Sequence, residues 1–233
     1  MKLALSAAIL IASIAVKAQT ADDIINKHID AVGGKDVLNG VKTMVLQNSI
    51  NAMGNDNAAT TTVVIGKGYK TDMDMNGQKL ITVVTDKGGW TINPFQGGSD
   101  AQPLPDDQYK GSEGSIFVDP FLDYAAHGDK VELEGTEGST YKLKVTNKDN
   151  SVTTYYIDTT TYYITKAVRS VNMMGNDVDL TFTFSDQKKT DFGNVIPFTI
   201  QMDYGTMFSM TSTVKKATVN GDVDPKVFDM PAK

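Results

Sequence analysis

Cysteine is missing from this chain of 233 residues, tryptophan occurs once and histidine twice. Without cysteine there is no disulfide framework, thiolate zinc site, iron–sulfur cluster or cysteine nucleophile, and no N-terminal cysteine to carry a lipid. The two histidines, His28 and His127, stand far apart with no other histidine beside them, so no metal set and no cofactor is expected. Arginine is scarcer still. Arg169 is alone among 22 basic residues set against 28 acidic ones, a net charge of −6, and this removes the basic surface that a phosphate backbone requires. Nucleic acid is not an expected partner. The chain also has no Gly-x-Ser-x-Gly elbow, no phosphate loop after a strand and no His-Glu-x-x-His pair.

What is present begins with an export signal. Met1 and Lys2 form a basic start, Leu3 to Val16 is apolar apart from two serines, and Val16-Lys17-Ala18 offers small residues for cleavage after Ala18. The run is too short for a comfortable membrane span, and no second long apolar segment follows. The expectation is a signal peptide over residues 1–18 and a single domain over 19–233, a monomer placed in the periplasm or secreted, without its own anchor. A chain of this size can bury roughly 70% of its unfolded surface, enough for one substantial core.

Thr20 and Asp23 are spaced as a capping box. Behind them Ala21, Ile24, Ile25, His28, Ile29 and Val32 recur at helical spacing until Gly33-Gly34 stops the helix. From Val41 onward the texture changes to short alternating segments broken by Gly, Asn and Asp. Strands are expected near 41–51, 59–66, 69–75, 79–85, 89–93, 130–133, 141–147, 152–158, 162–171, 178–184, 195–204 and 210–217, joined as an antiparallel meander. Asn76-Gly77 and Asp149-Asn150 supply turns, and Met53-Gly54-Asn55-Asp56 is echoed by Met174-Gly175-Asn176-Asp177. Between them lies a long loop, Pro94 to Gly114, then a helical turn expected to start at Pro120.

Chemistry is sparse. Asp72-Met73-Asp74-Met75-Asn76-Gly77 opens like a calcium loop, but Val83 occupies the position of the bidentate glutamate, and the letters read better as a hairpin. Asp119, Asp123, Asp129, Glu132, Glu134 and Glu137 form an acidic run. A solvated strand edge is its default reading, and a carboxylate pair of a glycan hydrolase the minor one. An enzyme is therefore not expected. The apolar residues Trp90, Ile92, Phe95, Ile116, Phe117 and Phe121 gather around the long loop, and 11 methionines punctuate the strands. Such side chains suit a cavity that accepts flexible apolar ligands, and these six are the expected lining or cover of one.

The order of several short motifs carries a resemblance. Ala21-Asp22-Asp23-Ile24-Ile25 leads to Gly33-Gly34 and a strand at Val41-Lys42. Gly88-Gly89-Trp90-Thr91-Ile92-Asn93-Pro94-Phe95 precedes an acidic loop. Phe121-Leu122-Asp123-Tyr124 leads into Val131-Glu132-Leu133-Glu134-Gly135, and Tyr141-Lys142-Leu143-Lys144-Val145, Tyr155-Tyr156-Ile157-Asp158, Ile164-Thr165-Lys166 and Phe228-Asp229-Met230-Pro231 follow. In this order the chain resembles the outer-membrane lipoprotein-sorting-like proteins of the LolA/LolB superfamily. That resemblance implies a mainly β fold with covering helices (α+β): an unclosed antiparallel barrel of about eleven strands. Its hydrophobic cavity would take up lipid acyl chains, including those of lipoproteins, with no catalytic residue and no cofactor. The chain departs from the LolA carriers in having no arginine before Arg169, where they use an early-strand arginine to close the lid. The implied function is a periplasmic carrier or sensor of acyl chains. The rival reading is an interaction module with a filled core that docks an envelope protein.

Overall fold

The structure, a computed structural model, describes residues 19–231 apart from 53, 96–97, 110–111, 174–175 and 206. The expected signal segment lies outside the described residues, as do Met53, Met174 and Gly175 of the echoed turns. The described residues open with helix α1 (Ala21–Ala31), and the capping box is formed: the Thr20 hydroxyl accepts the Asp23 N–H at 3.1 Å and the Asp23 carboxylate accepts the Thr20 N–H at 3.0 Å. Gly33 ends the helix at φ +130°, where a Cβ would lie 3.0 Å from the Gly193 carbonyl oxygen. This close approach lets the Val195 N–H donate to the Val32 carbonyl and ties the helix end to the sheet. A short helix α2 (Lys35–Gly40) leads into the strands.

The strands are β1 (Thr43–Ala52), β2 (Asn55–Val64), β3 (Gly68–Met75), β4 (Gln78–Thr85), β5 (Gly88–Ile92), β6 (Gln102–Pro103), β7 (Lys130–Glu137), β8 (Thr140–Thr146), β9 (Val152–Asp158), β10 (Ile164–Met173), β11 (Asn176–Lys189), β12 (Val195–Tyr204) and β13 (Ser209–Val219). All belong to one antiparallel sheet in the order β6-β5-β4-β3-β2-β1-β13-β12-β11-β10-β9-β8-β7. The twelve strands read from alternation are all present, and β6 adds a short thirteenth. Every neighbouring pair is consecutive in the chain except β1 with β13. The free edges are therefore β6 and β7, and residues 104–129 run from one to the other.

The sheet is curled. The Tyr109 hydroxyl donates to the Thr85 carbonyl at the end of β4 at 2.7 Å while residues 106–109 pack against β10, yet seven strand steps of about 4.8 Å would hold β4 and β10 ~34 Å apart in a flat sheet. The segment between the free edges crosses this curl. It carries α3 (Asp106–Tyr109), which packs against β10, a 3₁₀ turn (Glu113–Ile116) against β3 and β4, and α4 (Tyr124–His127). The long loop thus has more structure than its prolines suggested. The helical turn starts at Tyr124 instead of Pro120, because the Asp119 carboxylate accepts the Phe121 N–H at 2.9 Å and Asp123 adopts φ +53° before α4 begins. Asn76 and Gly77 at φ +56° and +86°, and Asn150 at φ +66°, form the expected turns. Among the described residues no helix is long and apolar enough to cross a membrane.

Candidate functional site

Side chains directly opposite one another in a ladder share a face, so the register assigns every strand residue to one side of the sheet. One inward row runs Ala52–Met210–Met202–Phe182–Ala167–Tyr155–Leu143 across seven strands. A second runs Leu80–Met73–Ala59–Asn48–Val214. Leu143 sits in the core cluster beneath α1, with Ile24, Ile25, Ile29, Phe121 and Ile157, and Tyr155 packs against that cluster. The inner face is therefore the face that bears α1. At its other end Ile50, Ala59 and Met73 form a separate buried cluster, with Met75, Leu80 and Met210 half-buried against it. Phe182, Ile200 and Met202 are also only half-buried.

The helix-covered end is tied together through His28. Its ring is 1% exposed; Nε2 lies 2.8 Å from Asp119 Oδ2 and Nδ1 lies 2.7 Å from the Tyr162 carbonyl oxygen. A carbonyl only accepts, so Nδ1 carries a proton, and a second proton on Nε2 completes a charge-assisted bond to the carboxylate. Burial alone would lower the His28 pKa; the negative charge and hydrogen bond of Asp119, with the Tyr162 carbonyl, outweigh it and raise the value above 6.5. Tyr162 takes φ +58°, unusual for a bulky residue, in a turn where Asp158 Oδ1 accepts the N–H groups of Thr160 and Thr161. Thus α1, the connecting segment and the β9–β10 turn meet at one imidazole. Phe121 meets the His28 ring edge-on at 5.5 Å and Tyr155 at 5.1 Å.

Polar side chains interrupt the apolar inner face at mid-height. The Asn48 amide donates to Thr61 at 2.8 Å, Thr61 lies 3.5 Å from Thr71, and the Thr71 hydroxyl donates to the Tyr69 phenol oxygen at 2.7 Å. Across the curl, Arg169 lies 5.6 Å from the Phe182 ring centroid. Burial pulls its guanidinium below the ordinary value, against the opposing influence of Tyr155 and Tyr204. Burial likewise pushes the Tyr155 and Tyr204 phenols up.

The six residues expected to surround a cavity fall in three places. Trp90 pairs with Val83, on the face opposite Val84, Tyr69, Val63 and Met44. It is buried there with Ala101 and Phe228, Ile92 packs against the same cluster, and the indole Nε1–H donates to the Phe228 carbonyl at 2.8 Å. Trp90 and Ile92, expected to line or cover the cavity, therefore belong to an outer mini-core capped by the C-terminal 3₁₀ turn (Pro225–Phe228). Phe95 stands in the turn after β5 and is 70% exposed. Ile116, Phe117 and Phe121 lie on the connecting segment. Ile116 and Phe121 are buried, and Phe117 stacks on His127 at 4.0 Å.

The acidic run is distributed among separate partners. Glu134 pairs with Lys142 at 3.1 Å and Glu132 with Lys144 at 3.7 Å on the edge strand, Asp123 pairs with Lys35 at 2.7 Å, and Asp129 accepts the Lys148 N–H. Asp74 instead closes the β3–β4 turn by accepting the Gly77 N–H at 2.7 Å, and Lys79 bridges Asp72 and Asp74. Among the described residues no group of three or more His, Asp or Glu could hold a metal ion. Two cavities flank the connecting segment. One of about 710 Å³ lies between α1 and residues 121–126, and one of about 180 Å³ lies beside Phe117, Val118 and His127. The inner-face residues that sequence reading missed, Met73, Leu80, Phe182, Met202 and Met210, carry one signal: their parity within alternating strands.

No family model matches the sequence, and neither does any curated protein. Solved structures do share the fold. A LolA superfamily protein from Nitrosomonas europaea superposes with a TM-score of 0.60 at 14% identity, over 91% of this chain and 98% of that one. A DUF1329 family protein from Desulfovibrio piger gives 0.61 at 12%, over 91% and 98%. A putative outer membrane lipoprotein-sorting protein domain from Vibrio parahaemolyticus gives 0.56 at 13%, over 89% and 95%. The unclosed antiparallel sheet with few helices is thus the LolA-like fold.

Proposed function

We propose that this protein is a non-enzymatic carrier or sensor of the bacterial envelope that shelters an acyl chain, of a lipid or a lipoprotein, on the inner face of its unclosed sheet. The observation that carries this reading is the contrast between the two ends of that face. One end is filled by α1, while at the other the inward rows of Met75, Leu80, Phe182, Met202 and Met210 stay half-buried. Removing hydrocarbon from water supplies roughly 0.8 kcal/mol per buried methylene, so a long chain binds with few polar contacts. Methionine fits that task because its unbranched thioether follows a flexible guest. Ile116, Phe117 and Phe121, on the segment between the free edges, close the helix-bearing end. The LolA-like fold supports the reading, and the lipoprotein-sorting name of one structural neighbour agrees with it. Export to the periplasm is part of the proposal.

The test is mass spectrometry of organic extracts from protein purified out of its native envelope, together with uptake of a fluorescent fatty acid. Bound lipid and saturable uptake are expected. Met202→Asp, on the half-buried inner row, should abolish uptake while thermal melting stays cooperative. Absence of both lipid and uptake would overturn the carrier and leave a filled module that binds an envelope partner.

A further inference from the structure

We infer that Asn48 forms a polar subsite on the inner face that selects acyl ligands carrying a neutral hydrogen-bond donor, an amide N–H or a hydroxyl, at or beside the chain; this rests on the carrier reading above. Asn48 is 7% exposed and is the one polar member of the inward row Leu80–Met73–Ala59–Asn48–Val214. An amide there is costly unless both of its ends are paired. One end is: Nδ2 donates to Thr61, which continues through Thr71 to Tyr69. The carbonyl oxygen Oδ1 is buried and has no hydrogen-bond partner among the described residues.

The backbone marks the same position. The β1–β13 register shifts opposite Asn48, where Lys215 of β13 is the extra residue, a bulge of the kind found beside binding sites. Next to Asn48 along the rows lie Ala59, Met73 and Ile50 of the half-covered apolar end. A chain entering from that end therefore slides over methionine and isoleucine and brings its polar end to an acceptor that lacks a donor. An amide N–H or a hydroxyl completes Oδ1. A carboxylate or an ester offers only acceptors and sets lone pairs against lone pairs.

Displacement of a bound fluorescent fatty acid by palmitamide, 1-hexadecanol and methyl palmitate tests this on the intact protein. The two donor-bearing ligands should displace the probe at about tenfold lower concentration than the ester, a difference of about 1.4 kcal/mol. Asn48→Leu should bring the ratio near one, with a thermal melt confirming the fold. If Asn48→Leu fails to fold, the comparison in the unmodified protein decides alone. Equal displacement by all three ligands overturns the subsite and leaves the carrier standing. A ratio that survives in Asn48→Leu overturns the assignment to this residue. Failure of the protein to bind the probe at all removes the carrier reading first.

Discussion

Replacing His28 with leucine strikes the point where three segments converge. The substitution leaves the Asp119 carboxylate, 8% exposed, without the imidazolium that lies 2.8 Å away. Removing one member of such a buried pair costs about 3–5 kcal/mol, against about 5–15 kcal/mol for a whole domain. Asp119→Asn removes the charge and keeps Oδ1 as acceptor for the Phe121 N–H, while the amide nitrogen takes the place of Oδ2 and can donate to Nε2 of a neutral imidazole, so its cost is smaller, about 1.5–3 kcal/mol. The double variant His28→Leu with Asp119→Asn no longer strands a charge, and its cost falls short of the sum of the two. The pH dependence has a definite sign. Because the folded-state pKa of His28 lies above 6.5, its contribution is complete below that value and is lost as pH rises through the raised one, with a slope of at most about 1.4 kcal/mol per pH unit for one proton. At high pH the lone pair of Nε2 would face the carboxylate. Urea melts from about pH 6 to about pH 9 should show the native midpoint falling where that of His28→Leu stays flat. Additivity within about 0.5 kcal/mol, together with the same pH slope in both proteins, would refute the charged pair.

Trp90→Phe removes the donor to the Phe228 carbonyl and leaves that buried oxygen unpaired, for about 1–3 kcal/mol; since the indole sits on the outer face, fatty-acid uptake at saturating stability should not change. Gly68→Ala brings a Cβ to 2.8 Å from the Phe228 ring. The C-terminal turn should lift away, read as faster proteolysis near Phe228 at unchanged sheet content. Glu132→Gln and Glu134→Gln disturb only edge ion pairs, Glu132 being 69% exposed in its side chain. Each should move the urea midpoint by no more than about 0.5 kcal/mol in stability terms, and neither should alter ligand uptake.

Much of the fold is legible because a strand announces itself through a local period of two, and eleven of the twelve expected strands carry that period over five residues or more. Gln102–Pro103 is too short to show any period, and its pairing rests on contact with Thr91 and Trp90 alone. The first helix was equally local: cap, stripe and glycine stop all lie within Thr20 to Gly34. His28 falls in the apolar stripe, but nothing in its neighbourhood names its partner, which stands 91 positions away on a segment with no periodicity. A buried ion pair between distant segments leaves no trace in either one.

The misplaced tryptophan has a different cause, and it concerns what alternation can and cannot decide. Around β4 the sequence Leu80-Ile81-Thr82-Val83-Val84 offers apolar side chains to both faces, because both faces are covered there. Val84 lies inward beside Tyr69, while Val83 lies outward beneath Trp90 and the C-terminal turn. A strand buried on two sides loses the polar residues that would mark its exposed face, so parity says that Trp90 and Val84 differ without saying which points inward. The missing datum sits at the other end of the chain. Phe228 could be recognised only as part of a terminal motif, yet its ring lies flat on Gly68 and its carbonyl holds the indole. A glycine at Gly68 and a lone aromatic near the C-terminus are two halves of one contact, and pairing them places Trp90 outside. The inner face is then left to methionine, leucine and phenylalanine, with Asn48 as its one unanswered polar atom in the row that leads from the apolar end.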